Sequence, residues 1–297
     1  MLTQVLKDIQ TILKQAGFYN GVVDGVFGFI SYSALQNLSI SKSSKTKIAA
    51  KDIQKILVEQ RVYFGAIDGA FGQNSFTAFN ALLPLPVLTD DKLKAIYKNA
   101  KAGFAEHINS NAVKFGIKNK ADLCAFLANV IHESGGFTKL RESMNYSPQR
   151  LIAVFPKYFK KIEVARSIAG QGQIAIADVV YGGRLGNGKD NGDGFKYRGG
   201  GLIHLTFKNN YEIAGIGIGL GRGLVTNPER ITEPEIAVKT AMWYWQKNFC
   251  TRYANQNKFL ATCQAVNLGA SKVGSTTTPN GQDDREAIHK KAWSVLN

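Results

Sequence analysis

DLCAFLANVIHESGGFTKLRESMNY, residues 122–146, is the stretch that decides how this chain folds. Leu123, Phe126, Leu127 and Val130 recur at i, i+3, i+4 and i+7, which gives an α-helix one apolar face. Gly135-Gly136 is expected to end that helix, because glycine readily takes the left-handed conformation that closes a helix C-terminus. Two carboxylates, Glu133 and Glu142, flank the stop. In an uninterrupted helix they would stand about 13.5 Å apart along the axis and point to opposite sides. With the helix broken, the chain can fold back and set Glu142 across from Glu133. Ile131 and Phe137 flank Glu133, so desolvation is expected to raise its pKa. Glu142 sits among Arg141, Ser143 and Asn145, company that favours the ionised form. Two carboxyls in opposed environments are the pair that acid/base hydrolysis of a glycoside requires.

Working outward, the N-terminal part contains an internal repeat. KDIQTILKQAGFYNGVVDGVFG at 7–28 aligns without a gap with KDIQKILVEQRVYFGAIDGAFG at 51–72, and twelve of the 22 positions are identical. Each copy reads as a helix with an apolar face (Ile9, Ile12, Leu13; Ile53, Ile56, Leu57), then a glycine-rich turn, then a second helix. The turn is Tyr19, Gly21, Asp24, Gly25, Phe27, Gly28 in one copy and Tyr63, Gly65, Asp68, Gly69, Phe71, Gly72 in the other. One unit buries little alone, so the two copies, about 3–40 and 47–84, should pack together. Leu-Pro-Leu-Pro at 83–86 cannot continue a helix. The expected domains are therefore 1–86 and 87–297, with Thr89-Asp90-Asp91 capping the next helix.

The 297 residues include 37 Lys plus Arg against 22 Asp plus Glu, a net charge of +15. Of this, +3 falls in residues 1–88 and +12 in 89–297. An excess of this size points to an anionic partner. The charge is not gathered into a run, so it belongs to a folded surface and not to a disordered arm. No apolar run reaches the roughly 18 residues of a membrane span. The N-terminus, with Lys7 and Asp8 among its apolar residues, reads as an amphipathic helix, so no signal peptide and no stable membrane insertion are expected. Cys124, Cys250 and Cys263 lack metal-ligand spacing and are read as buried thiols. His132-Glu133 does not extend to H-E-x-x-H, since Gly136 stands where the second His would be. Asp190-Asn191-Gly192-Asp193-Gly194 fails the calcium-loop register. The glycines between 215 and 223 do not make a dinucleotide fingerprint. No metal or cofactor is expected, and no nucleic-acid-binding motif is recognised.

Two resemblances follow from these residues. The Y-x-G-x-x-D-G-x-F-G turn, present twice, resembles the peptidoglycan-binding repeat that accompanies many cell-wall hydrolases. The larger part is similar to family 19 glycoside hydrolases, the chitinase-like lysozyme fold, and in particular to phage endolysins. That likeness rests on H-E-S-G-G-F at 132–137, E-S-M-N-Y at 142–146, L-I-A-V-F-P at 151–156, G-D-G-F-K-Y-R-G-G-G-L-I-H-L-T at 192–206 with Asn209-Asn210-Tyr211, V-N-L-G at 266–269 and Asp284-Arg285. It implies a mainly α architecture with a lysozyme-like catalytic domain behind a small helical wall-binding domain.

The resemblance also implies roles. Glu133 is the general acid, Glu142 the general base, and Thr206 helps hold the attacking water. His132, Tyr146, Tyr197, His204, Asn210 and Asn267 fall at substrate-contacting positions, and Arg285 at a position supporting the carboxylates. Gly200 replaces the family's usual Arg, His204 its Gln, and Leu268 a Gly. The implied function is inverting hydrolysis of β-1,4 bonds in the peptidoglycan backbone, leading to bacterial lysis. A chitinase or a non-catalytic wall-binding protein are the alternatives. The expected partners are peptidoglycan and anionic outer-membrane lipids, engaged by a monomer. The protein is expected to wait in the host cytoplasm until a holin-type pore releases it to the wall.

Overall fold

The computed structural model describes residues 1–296. The chain is mainly α-helical, as the sequence predicts. Among the described residues the β pairing is confined to isolated bridges: Pro84 with Asn119, and Gly200 with both Arg141 and Leu205. No described helix is long and apolar enough to cross a membrane. Two compact units form. One comprises Met1–His132 with the chain from Trp245 onward, the other Glu133–Tyr244.

In the first unit the two repeats have the same local construction. Helices α1 (Leu2–Gln15) and α2 (Phe29–Ile40) form the first copy, and α3 (Ser44–Glu59) and α4 (Gln73–Leu82) the second. Ile9, Leu13, Ile53, Leu57 and Leu35 are fully buried. The copies share their core, with Phe27 of the first lying on Phe79 of the second at 4.6 Å between ring centroids.

Each turn is assembled around one buried glutamine. Gln10 donates to the Tyr19 hydroxyl, Asp24, the Val26 carbonyl and Ser31, and accepts from the N–H groups of Asp24 and Gly25. Gln54 repeats this with Tyr63, Asp68, Ala70, Ser75 and Gly69. The amide thereby satisfies backbone groups that the turn would otherwise bury unpaired. Gly25 and Gly69 have φ near +80°, and a Cβ at either would come within 2.6 Å of the backbone of the preceding helix, at Thr3 and Lys47. The repeat motif is thus first of all a turn-building motif.

The repeats do not stand apart. Leu83–Pro86 remains within the same unit, where Asn80 and Asn119 both donate to Asn255. Tyr32 stacks on Trp293 at 4.1 Å, and Tyr32 and Gln36 donate to Asn257. Thr89 caps Asp90–Ile96 through the Lys92 N–H, as its sequence predicts. All three cysteines are free and buried, and burial pushes the thiols up, to about 12 at Cys124 and about 11 at Cys263.

The Lys120–Ser134 helix is buried on more than its expected apolar face. Ala121, Cys124, Ala125, Ala128 and Ile131 are also enclosed, so it is a core helix. It ends where the glycine pair predicts. Gly135, Gly136 and Phe137 all have positive φ (56°, 72° and 65°), and the Ser134 carbonyl accepts from Thr138 and Lys139. A positive φ at Phe137 is unfavourable for a side chain, and its complete burial offsets that cost. In the second unit the chain then packs a core of Met144, Leu151, Phe159, Ala165, Ile176, Ala177 and Val180.

Asp122 is fully enclosed in the first unit, with Trp245 Nε1 donating to it at 2.8 Å. Burial pushes its carboxyl up to about 7, against the pull of that hydrogen bond. A raised acid leaves the folded state short of charge. Stability from this group is therefore intact below the unfolded pKa of about 4 and is lost as pH rises to about 7. Asp122→Asn is expected to match the wild-type melting temperature at pH 4 and to exceed it at pH 8. Equal melting temperatures at pH 8 would contradict this reading.

Candidate active site

Glu142 is the best-defined group of the second unit. Its chain segment lies against 199–201: the Glu142 N–H donates to the Gly199 carbonyl (2.9 Å), and Gly201 N–H donates to the Leu140 carbonyl (3.0 Å). The same segment is pinned on its other side, where Gly200 and Leu205 exchange hydrogen bonds of 3.0 and 2.8 Å. These short pairings fix the backbone from which the carboxylate projects. The carboxylate itself accepts from the Tyr181 hydroxyl (2.8 Å) and the Gly199 N–H (3.0 Å), one donor per oxygen. Arg198 donates from Nε to the Glu142 carbonyl at 3.0 Å while its guanidinium lies 3.8 Å from the centroid of the Phe195 ring.

Burial, joined by the negative charge of Glu142, raises the pKa of both Tyr181 and Tyr146. Both phenols therefore remain protonated, and Tyr181 remains a donor. Tyr146 is half-buried and packs edge-on against Phe155 at 5.3 Å.

Gly199 is where Glu142 meets His204. A Cβ on Gly199 would lie 3.1 Å from His204 Cβ and 3.2 Å from both Cβ and Oε2 of Glu142, so a side chain there would press on the carboxylate. His204 has φ of +50°. Its carbonyl accepts the Thr206 hydroxyl at 2.9 Å, and Asn210 Nδ2 donates to the Thr206 carbonyl at 2.7 Å. The hydroxyl proton of Thr206 is thus occupied, and its lone pairs stay available to accept from a water.

Gly200 answers the question raised by the missing arginine. A Cβ there would stand 2.5 Å from the Tyr211 hydroxyl, 2.6 Å from Ile231 and 2.8 Å from Arg141 Nη1. Arg141 fills the space. It grips Glu229 with two hydrogen bonds, Nη2–Oε1 at 2.6 Å and Nε–Oε2 at 3.1 Å, and also donates to Tyr211 and to the carbonyls of Arg198 and Lys196. The Arg141 hydrogen bond holds the Glu229 carboxyl below its usual range, outweighing the effect of burial.

The other expected residues are placed as follows. Glu133 is half-buried in the last turn of the Lys120–Ser134 helix and belongs to the second unit with Glu142. Tyr197 requires a correction. It is 1% exposed, packs edge-on against Tyr211 at 5.5 Å and gives its hydroxyl to the Val225 carbonyl at 3.0 Å. It supports the floor beneath 198–200 and has no surface to offer a sugar. His132, Asn267 and Arg285 lie in the first unit. His132 Nδ1 is 2.6 Å from Asp284 Oδ2, with Gly281 packed so closely that a Cβ would strike the imidazole ring. Asn267 accepts from the Asn280 N–H at 3.0 Å. Arg285 is fully buried and donates to Asn129 at 2.8 Å and to the Asn280 carbonyl at 3.2 Å. Asp190–Gly192 is a loop, and Asp193 and Gly194 open the short helix Asp193–Lys196. The carboxylates about it, Asp178 and Asp193, accept from backbone N–H groups and Asp193 also pairs with Lys208.

Tyr181 and Arg198 hold Glu142, and neither is marked in the sequence. Tyr181 ends an unremarkable apolar helix, Gln173–Tyr181, 39 residues from its partner.

Comparison with known proteins finds similar chains. A family model described as Chitinase class I matches residues 185–276. A Haemophilus influenzae protein described as glycosyl hydrolase family 19 domain-containing is 34% identical over 206 residues, covering 69% of this chain and 94% of that protein. The acidic 26 kDa endochitinase of Solanum lycopersicum is 53% identical over 51 residues, 17% of this chain and 20% of that protein. The chain thus spans only about a fifth of the length of that plant relative. Chitinase C of Streptomyces griseus aligns in structure with a TM-score of 0.46 at 22% identity, covering 71% of this chain and 76% of that chain.

Tyr181→Phe deletes one of the two donors to Glu142 while keeping the ring that packs edge-on against Phe207 at 5.5 Å. A hydrogen bond to a charged group contributes about 1.5–3 kcal/mol. Turnover is expected to fall by about ten- to a hundredfold with KM within twofold of wild type, as read by steady-state kinetics on a glycan substrate. An unchanged kcat would remove Tyr181 from the catalytic arrangement.

Proposed function

This chain belongs to glycoside hydrolase family 19, and from that premise we propose that it is an endolysin, cleaving the β-1,4 bonds of the peptidoglycan backbone. The observation that carries the catalytic part is the hold on Glu142. Its carboxylate is oriented by Tyr181 and Gly199 beside His204, whose carbonyl accepts the Thr206 hydroxyl.

In the proposed reaction Glu133 gives its proton to the glycosidic oxygen as the bond from that oxygen to the anomeric carbon breaks. Glu142 takes a proton from a water whose oxygen bonds to the anomeric carbon from the opposite face, while Thr206 accepts a hydrogen bond from the hydrogen that stays on that oxygen. Each sugar fragment leaves with a hydroxyl, and the two carboxyls exchange protonation states. Separating acid and base by the width of a water, about 6.5–9.5 Å, makes this an inverting route. His204, Tyr146 and Asn210 are the substrate contacts in the second unit.

Murein is preferred over chitin for two reasons. The repeat resembles wall-binding repeats, and +12 of the net charge lies in residues 89–297, suited to an anionic envelope. The plant relatives are named as endochitinases, which keeps chitin hydrolysis as the second reading. In the endolysin reading residues 1–86 attach the monomer to the wall and 87–297 cut it, after a holin-type pore gives access from the host cytoplasm. Anionic outer-membrane lipids would add a salt-sensitive attraction.

Glu133→Gln is expected to abolish lysis of purified murein while leaving its co-sedimentation with sacculi intact. Mass spectrometry of wild-type products should show muropeptides, their reducing-end sugar identifying the bond. A Glu133→Gln variant lysing at the wild-type rate, or wild type cutting chitin and not murein, would overturn the proposal.

A further inference from the structure

The two repeats present matching grooves that differ in lining. In the second repeat a cavity of about 390 Å³ is bounded by Ser39, Ser41, Lys42, Thr46, Lys47 and Asp68. Its counterpart in the first repeat, about 270 Å³, is bounded by Thr3, Leu6, Val26, Leu83, Pro84 and Pro86. The correspondence follows the 44-residue shift of the repeat: Thr3 matches Lys47, Val26 matches Ala70, Leu83 matches Ser39 and Pro86 matches Lys42. Each groove is made by the first helix and turn of one copy and the chain leaving the second helix of the other.

The copies have diverged in what closes them. The first groove is apolar and is also lined by Lys120 and Leu296; the Lys120 ammonium donates to the Phe27 carbonyl at 3.1 Å, and Leu296 is fully buried. The second groove, which Leu38 and Phe71 also line, is the more polar of the two and is lined only by residues between 38 and 71. Lys42 and Lys47 are exposed at it, and among the described residues neither is in an ion pair; the Ala70 N–H and Gln54 hold the Asp68 carboxyl below its usual range, with a smaller pull from Lys47. Across the Asp68–Ala70 turn lies a second depression, about 430 Å³, lined by Tyr63, Gln73 and Asn74. Gln73 and Asn74 stand where the first copy has Phe29 and Ile30, and Lys290 lies over the Phe29 ring at 5.3 Å. Cavities of about 300–1,000 Å³ suit small ligands. The two ammonium groups outnumber the one carboxylate, Asp68, and with the serine hydroxyls and side-chain amides suit a glycan that carries carboxylates.

We propose that the second repeat alone is the ligand-binding copy, and that its Ser39–Lys47 groove takes a carboxylate-bearing glycan, the muropeptide class, in preference to a neutral chitin chain. The first repeat serves as its structural anchor. This inference rests on the reading of the repeats as a wall-attachment device.

The test uses the full chain in the Glu133→Gln background and a soluble disaccharide-tetrapeptide, with sacculi and chitin oligomers as further probes. Lys42→Gln/Lys47→Gln is expected to weaken muropeptide binding at least fivefold and to flatten its salt dependence, with unaltered thermal melting. Thr3→Ala, in the first groove, should leave affinity within twofold. If wild type binds sacculi and the double variant binds the muropeptide equally well, the groove assignment fails and wall attachment survives. If wild type binds neither sacculi nor muropeptide, wall attachment fails and takes the groove with it. Equal affinity for chitin oligomers would overturn the preference for carboxylates.

Discussion

Gly199 gives its N–H to the carboxylate of Glu142 and takes the Glu142 N–H on its carbonyl, and this reciprocal pair fixes where the proposed base can stand. The arrangement works only because position 199 has no side chain: a Cβ would lie 3.2 Å from the carboxylate oxygen it is meant to orient. Gly200 is equally constrained, with Arg141 and Tyr211 where its side chain would be. A run of three glycines, 199–201, lets two chain segments approach closely enough for a backbone N–H to donate to the Glu142 carboxylate. Glu142, His204 and Thr206 are then positioned from one short piece of backbone, which loses little freedom on binding substrate.

Charge around this piece is arranged in pairs. Arg141 and Arg198 both stand near Glu229, at 2.6 and 3.7 Å, so the two guanidiniums beneath the glycine segment are partly neutralised. Tyr181 and Tyr146 surround Glu142 with phenols that stay protonated. The carboxylate therefore faces donors and aromatic rings, with a local environment distinct from the basic surface that gives the chain its net +15. In the proposed reaction the surface charge would act on approach to an anionic polymer and the local set on the reacting water.

Much of the fold was legible in the sequence because local signals and packing agree. The apolar spacing of Leu123, Phe126, Leu127 and Val130 marks the Lys120–Ser134 helix, and Gly135-Gly136 stops it. The repeat is visible as identity, yet the apolar spacing of its helices does not mark its organising residues, Gln10 and Gln54. Their preservation in both copies, next to Ile9 and Ile53 on the buried face, is the signal that could have found them. Glu142 was legible; its holder Tyr181 was not, since that contact is made only by tertiary folding. Tyr197 shows the reverse error. The family resemblance places it at a substrate-contacting position, and packing against Tyr211 makes it core.

The central claim is that Glu133 and Glu142 act on opposite faces of one glycosidic bond, with a water between base and sugar. Proton NMR of the anomeric signals in the first moments of hydrolysis, before mutarotation, tests this most directly. Cleavage of a β-linked murein oligomer should release α-anomers at the new reducing end. Initial release of β-anomers would mean retention, would require a covalent or substrate-assisted route, and would contradict the roles assigned to both carboxylates.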